Sequence, residues 1–305
     1  MTADSRKLLC GVNSKSPKTP VSTPNFRTNS KIRSKRSNPS CTYNIEFDSR
    51  KQWPQCADMI NIVKNQGQCG DCWAIASSSV FTDRYCIERA KKGLKTNVSD
   101  PDNQSSDEEI LSCTSPTSGC NEGSPTDAWQ YMKNYGVVSG SNFEQKTGCK
   151  PYSINPEAAG PLTTPECVSK CTNSKWPMQY NNDKKFAIST GIIPVDMEVS
   201  EAVKAMKVEI KKNGPITSIM DAYDDFYHYG DGVYMRTTDK NPAGHAIRLI
   251  GYGIQTCSGK NPQPFWLAIN SWGKGWGMNG VFMIAQGINE CRIESWGADF
   301  GKPKV

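Results

Sequence analysis

Gln66-Gly67-Gln68-Cys69-Gly70-Asp71-Cys72-Trp73-Ala74 sets an amide donor and a thiol six residues apart at what reads as a helix start. Beyond Cys72, apolar residues recur at Ala76, Val80, Phe81 and Tyr85, with no Pro or Gly before Gly93, which is helical spacing. Cys72 then falls in the first turn. There, unpaired N–H groups and the positive end of the helix dipole favour thiolate over thiol. A free cysteine titrates near ~8.5, whereas one paired with histidine in such a place falls to ~3–4.

A thiolate acting on a carbonyl compound needs a proton donor and a group to orient that donor. The chain has two histidines. His245 lies in Ala243-Gly244-His245-Ala246-Ile247-Arg248-Leu249-Ile250-Gly251, a buried-strand pattern with the histidine at its leading edge. His228, among the aromatics of Phe226-Tyr227-His228-Tyr229-Gly230, reads as a surface histidine. Downstream, Phe265-Trp266-Leu267-Ala268-Ile269-Asn270-Ser271-Trp272-Gly273 is a second apolar strand ending in an asparagine. Asn270 is suited to accept the imidazole N–H and fix its tautomer, with Trp272 excluding water from that bond. Gln66 and the Cys72 backbone N–H are candidate oxyanion donors, each commonly worth ~3–4 kcal/mol.

Gln66, Cys72-Trp73, Gly244-His245-Ala246 and Asn270-Ser271-Trp272 occur in the order found in papain-like cysteine proteases, and the chain resembles that family. Within it the chain looks most like cathepsin B. The landmarks are Trp53-Pro54-Gln55-Cys56, Gly148-Cys149-Lys150-Pro151-Tyr152-Ser153-Ile154, Gly244-His245-Ala246-Ile247-Arg248 and Cys291-Arg292-Ile293-Glu294-Ser295. The resemblance runs from about Phe47 to near the C-terminus. It implies an α+β, two-lobed fold: a helical N-terminal lobe, a β-rich C-terminal lobe, and the active site in the cleft between them. It also implies a cysteine-type endopeptidase acting on proteins or peptides, met by protein inhibitors of cysteine proteases, monomeric, with no cofactor and no metal. In that reading Cys72 is the nucleophile, His245 the acid and base, Asn270 the orienter and Gln66 the oxyanion donor.

The resemblance further implies the bridges Cys56–Cys86, Cys69–Cys120, Cys113–Cys167 and Cys149–Cys171, and leaves the pairing of Cys10, Cys41, Cys257 and Cys291 open. Two other cathepsin B bridges have lost both partners here. Cathepsin B has an occluding loop with two histidines that bind a substrate's C-terminal carboxylate. The matching stretch, Cys149 to Cys167, is short and has no histidine, which implies an endopeptidase without strong dipeptide release. At the base of the second subsite, Trp296 replaces the family's glutamate, implying apolar side chains there in preference to arginine. In Gly119-Cys120-Asn121-Glu122-Gly123 the first wall glycine is replaced by Glu122, while Gly123 keeps the close backbone approach. Asp71 stands where the family has serine. It reads either as a first-turn or capping residue or as an anion acting on the thiol and imidazole.

Two other classes compete. Cys69-Gly70-Asp71-Cys72 is also a thioredoxin-type pair, but a redox reading explains neither Gln66 nor the His245 and Asn270 segments. A non-catalytic binding protein on the same scaffold would account for Asp71 and Glu122. The cysteine spacings form no paired zinc knuckles.

In 305 residues with 36% apolar content, no run approaches the roughly 20 apolar residues of a membrane helix. Thirteen cysteines, with the sequons at Asn97 and Asn103, point to an oxidising, lysosomal or secreted setting. Residues 1–46 hold nine Lys/Arg and two Asp/Glu, against 27 and 28 in the remainder, so the net charge of +6 belongs to the leader. Without aromatic interleaving, that charge argues against nucleic acid. The leader reads as a largely disordered, incomplete propeptide, and residues 47–305 as the protease domain, starting near Asn44 to Phe47. No charged-then-apolar signal precedes it, so a truncated start is expected.

Helix signals are a cap at Ser124-Pro125 with Trp129 and Met132 on one face, a Ser106-x-x-Glu109 capping box, and a cap at Ser200 before Val203, Met206 and Ile210. Strands are expected near 216–220, 246–252, 265–270 and 280–285.

Overall fold

The computed structural model describes residues 40–97, 103–114, 119–160 and 162–305. Helix α1 (Cys72–Lys91) begins where the apolar spacing predicts, and every residue from Cys72 to Ile87 is buried. A helix enclosed on all sides must satisfy its polar side chains within the fold. Thr82 Oγ1 donates to Ser78 O at 2.9 Å and accepts the Ser105 N–H at 3.0 Å. Arg84 donates to the carbonyls of Pro215, Gly301 and Gly214 and pairs with Glu209 at 2.9 Å. Asp83 meets both its oxygens with Arg248 Nη1, at 3.0 and 2.9 Å.

Around α1 lie α2 (Asp107–Cys113) and α3 (Pro125–Asn134). Ser106 Oγ accepts the Glu109 N–H at 3.0 Å and Ser124 Oγ accepts the Asp127 N–H at 3.4 Å, as their cap positions predict. The reciprocal half of the capping box does not form, because the Glu109 carboxylate accepts instead from Lys150, Lys184, Tyr131 and Tyr180. These helices bury Phe81, Ile110, Leu111, Trp129 and Met132 together with the indole of Trp73.

Apart from short helical turns, the other elements are β1 (Cys41–Asp48), β2 (Ala187–Ile193), α4 (Val199–Asn213), β3 (Ile216–Ala222), β4 (Val233–Tyr234), β5 (Ala243–Cys257), β6 (Gln263–Ile269), β7 (Val281–Ala285) and β8 (Ala298–Pro303). The strands form one sheet in the order β2-β8-β3-β5-β6-β7-β4, with β1 also on β5. β5 is longer than its sequence signal because two partners share one edge. β3 pairs its first half, from Ala222↔Ala243 to Ile216↔Leu249. β1 pairs its second half, from Asp48↔Gly251 to Cys41↔Cys257. At Gly251 a Cβ would lie 2.2 Å from the Phe47 carbonyl oxygen, so the β1 ladder requires glycine there.

Three expectations differ from the structure. Residues 41–46, read as part of a disordered leader, are strand, and the expected boundary at 46/47 falls inside β1; ladder pairing with β5 and a Cys41–Cys257 bridge fix them. Residues 1–39, Cys10 included, lie outside the described residues. α4 is capped by Glu198, whose carboxylate accepts the Ser200 N–H at 2.7 Å, so Ser200 sits inside the helix. Strands β2 and β8 carried no sequence signal. The other bridges are Cys56–Cys86, Cys69–Cys120, Cys113–Cys167 and Cys149–Cys171. Among the described residues no helix is long and apolar enough to cross a membrane.

Arg248→Ala leaves Asp83 buried without its counter-charge and is expected to cost about 3–5 kcal/mol in urea unfolding. Asp83→Leu with Arg248→Met should recover most of that loss, and a single-variant cost below about 1 kcal/mol would show the pair to be dispensable.

Candidate active site

The site forms where the start of α1 meets β5. Cys72 opens the helix and is outside all five bridges. The Ala246 N–H on β5 points at its Sγ from 3.4 Å. This contact sets the residue next to His245 against the thiol. His245 and Cys72 are both fully buried.

His245 Nε2 lies 2.8 Å from Asn270 Oδ1, at the end of β6. That Asn270 atom also accepts the Ser271 N–H at 2.8 Å, which identifies it as oxygen and hence a pure acceptor. Nε2 therefore carries the proton. The remaining lone pair is on Nδ1, which has no hydrogen-bond partner among the described residues. The Trp272 ring stacks on the imidazole at 4.8 Å between centroids, and Tyr227 stacks on Trp272 at 5.0 Å. The aromatic run around His228 thus supports Trp272, while His228 itself is exposed. Burial pulls the His245 imidazolium down to about 4, against an upward pull from Asn270.

Gln66 is held on three sides. Its backbone N–H donates to Ser271 O at 2.9 Å, its Oε1 accepts from Ser271 Oγ at 2.6 Å, and its Nε2 donates to Cys69 O at 2.6 Å. Asn65 and Gly273 N also bridge this segment to the end of β6, through Trp272 and Lys64 O. The donor segment and Asn270 are consequently one rigid unit.

Asp71 occupies the N-cap position of α1, but its side chain makes no capping bond. The capping reading fails because Tyr152 Oη donates to Asp71 Oδ2 from 2.7 Å and holds it away, while lying 3.2 Å from Gln66 O. Burial, with Asp107 and Glu108 nearby, pushes the Asp71 carboxyl well above the usual range, although the Tyr152 bond opposes this. That shift favours the uncharged form of the carboxyl beside Cys72.

The segment after Cys149 is tied to carboxylates residue by residue. Lys150 Nζ reaches Glu109, Tyr152 reaches Asp71, and Ser153 Oγ donates to Glu108 at 2.8 Å. Burial raises Glu109, but Lys184 and Lys150 more than offset it and leave the carboxyl below its ordinary value. Asn155 and Pro156 then pack against Gly67.

At Gly123 a Cβ would lie 2.0 Å from the Trp73 ring, so the glycine is required by the residue following the thiol. Glu122 is exposed. Trp296 is 5% exposed, with Nε1 donating to Asp221 Oδ1 at 3.0 Å. Arg292 pairs with the same carboxylate and lies over the Trp296 ring at 4.6 Å. Asp221 stands opposite Gly244, next to His245, across the β3–β5 ladder. Sequence reading missed Asp221 and Arg292, whose pairing spans 71 positions. Of the sequon asparagines, Asn97 is exposed, whereas Asn103 is 4% exposed and its Nδ2 donates to Asn97 O at 2.9 Å. A glycan on Asn103 would break that contact; Val98 and Ser99 lie outside the described residues.

The family model for papain family cysteine proteases matches residues 43–298. Cathepsin B-like cysteine proteinase 4 of Caenorhabditis elegans is 39% identical over 272 residues, which is 85% of this chain and 75% of that relative. Procathepsin B S9 from Trypanosoma congolense superposes with a TM-score of 0.72 at 28% identity, covering 100% of this chain and 90% of that one. Digestive procathepsin L2 from Tenebrio molitor larval midgut, at 24% identity and a TM-score of 0.66, covers 99% and 81% and shares the fold.

In a Cys72→Ser chain no thiolate can hold the imidazolium, and His245 is expected to titrate near about 4 by NMR, with His228 as the only other histidine signal. The folded value lies below the unfolded one, so the neutral ring stabilises the fold above pH 6.5 and that contribution disappears as pH falls through about 4. The loss is on the order of 3 kcal/mol, and a ring titrating near 6.5 in this variant would contradict it.

Proposed function

The chain belongs to the papain family of cysteine proteases, and we propose that it is a cathepsin B-like thiol endopeptidase working through Cys72, His245, Asn270 and Gln66. The observation that carries this reading is the pair of contacts at the helix–strand junction: Ala246 N–H on Cys72 Sγ, and Asn270 Oδ1 on His245 Nε2. Together they leave Nδ1 as the ring nitrogen to take the thiol proton. Cys72 Sγ attacks the scissile carbonyl carbon, and the imidazolium gives its proton to the departing amine. His245 then takes a proton from water, which attacks the thioester and releases the acid and the thiol. Gln66 Nε2 and the Cys72 N–H stabilise the oxyanion at each tetrahedral stage.

The bridge from Cys69 to Cys120 supports this reading over thiol–disulfide exchange, since Cys69 is already consumed. Five bridges fit folding in an oxidising compartment, as expected of a lysosomal or secreted protease. The short segment from Cys149 to Cys167 supplies no histidine for a substrate's terminal carboxylate, which favours internal cleavage. Trp296, bulky and uncharged where the family carries a glutamate, favours an apolar side chain two residues before the cut.

Activity of the refolded protein on a blocked internal peptide tests the mechanism. Cys72→Ala should abolish turnover, and Gln66→Ala should lower kcat by about 10²–10³-fold. Full activity of Cys72→Ala would sink the proposal.

Specificity is tested with paired substrates. A peptide with leucine or phenylalanine at the second position should be cleaved at least about 10-fold faster than its arginine counterpart. Dipeptide release from free C-termini should be the slower reaction; its dominance, or equal use of arginine, would refute the subsite assignment.

A further inference from the structure

Tyr152, in the loop after Cys149, is buried, and its hydroxyl stands between the two segments that carry the oxyanion donors. Oη lies 2.7 Å from Asp71 Oδ2 and 3.2 Å from Gln66 O. Gln66 supplies its side-chain amide. Asp71 governs the other donor, because its carbonyl and the Cys72 N–H belong to one planar peptide unit. That carbonyl is fixed by the Ala74 and Ile75 N–H groups, at 2.9 and 3.0 Å. Ser271 already ties Gln66 to the end of β6. Tyr152 adds a tie from Gln66 to the head of α1.

A phenol has a single hydrogen, and Gln66 O can only accept. With the Asp71 carboxyl ionised, that hydrogen goes to the carboxylate, and Gln66 O keeps the long 3.4 Å contact from the Cys69 N–H. The same heavy-atom distances admit a second arrangement, in which a proton on Oδ2 donates to Tyr152 Oη and the phenol hydrogen is released to Gln66 O. The surroundings favour the second. Asp71 is fully buried, and its Oδ1 has no hydrogen-bond partner among the described residues. From α2 it is faced by Asp107, which pairs with Lys64 at 2.7 Å, and by Glu108, which accepts from Ser153. An ionised Asp71 would be a buried anion facing two other carboxyl groups. A serine here, as in the family, would end one bond short of Oδ2, so the link belongs to this chain's aspartate.

We propose that Tyr152 and a protonated Asp71 are positioning residues for the two oxyanion donors: Asp71 Oδ2–H donates to Tyr152 Oη, Tyr152 Oη–H donates to Gln66 O, and the Gln66 amide and the Cys72 N–H are thereby held at a fixed separation. Loss of the Asp71 proton turns the phenol hydrogen to the carboxylate and unties Gln66 from the head of α1. The effect on turnover rests on the protease reading above; the proton on Asp71 does not.

The full chain is tested by kinetics and by infrared spectroscopy. Tyr152→Phe should lower kcat on a blocked internal peptide about 10-fold with KM within about 2-fold, while alkylation of Cys72 by iodoacetamide, which forms no oxyanion, stays within about 2-fold. Asp71→Ala should lower kcat similarly, and Asp71→Asn, whose amide can donate to Tyr152 at any pH, should restore most of the loss. Wild-type kcat should fall as rising pH removes the Asp71 proton, and Asp71→Asn should lack that fall. Unchanged kcat in Tyr152→Phe, or an equal loss in alkylation, overturns the proposal; so does Asp71→Asn as slow as Asp71→Ala. The infrared difference between wild type and Asp71→Asn reads the proton itself. A carboxylic-acid carbonyl band is expected near neutral pH, and a carboxylate band in its place overturns the proposal. A wild-type chain that shows the acid band yet hydrolyses no peptide would sink the protease reading and leave the Asp71–Tyr152–Gln66 link standing.

Discussion

Everything at the site depends on how α1 is held against β5. From Cys72 to Asp83 the helix advances roughly 16 Å, whereas from Ala246 to Arg248 the strand advances only roughly 7 Å, so the two elements cannot make both contacts by running alongside each other. The Arg248 side chain makes up the difference, reaching Asp83 with one guanidinium nitrogen and Ile62 O with another. Burial lifts Asp83 to about 6 and Arg248 opposes that lift, so the carboxylate remains the partner the guanidinium needs. Two contacts, one at Sγ and one at this ion pair, fix both the separation and the angle of helix and strand. A single contact would leave a hinge.

The second organising feature is a set of consecutive carboxylates at the start of α2. Asp107 takes Lys64 at 2.7 Å and the Ser78 hydroxyl, Glu108 takes Ser153, and Glu109 takes Lys150, Lys184 and two tyrosines. Asp107 ties the segment leading to Gln66 to the body of α1, while Glu108 and Glu109 both hold the loop after Cys149. The Lys150-Pro151-Tyr152-Ser153 run is thereby committed to structure at every ionisable or hydroxyl side chain. Tyr152 extends the network to Asp71 and so to the residue beside the thiol. The residue beside Cys72 and the loop after Cys149 thus belong to one buried polar layer.

Much of this was legible in the chain. Local signals carried the helix at Cys72, the caps at Ser106 and Ser124 and the strands bearing His245 and Asn270, because spacing and cap chemistry act within a few residues. Features set by distant partners were not legible. β1 has no strong strand pattern of its own, and it exists because the second half of β5 offers it a ladder. Ser200 lost its cap position to Glu198, two residues earlier, whose carboxylate accepts the Ser200 N–H. The sequence placed Asp71 beside Cys72, but only the fold shows that Tyr152, 81 positions on, claims its carboxyl. Arg292 and Asp221 escaped notice for the same reason.

Ten described sulfurs are locked in pairs, and two described cysteines, Cys72 and Cys291, stand outside the bridges. Burial, with Glu290 beside it, pushes the Cys291 thiol well up, so that sulfur is chemically quiet. Its counterpart at the head of α1 has lost its nearest rival, since Cys69 is already spent on Cys120. With Cys69 tied to Cys120, the Cys69-Gly70-Asp71-Cys72 stretch cannot close on itself, and Cys72 is left outside every described bridge.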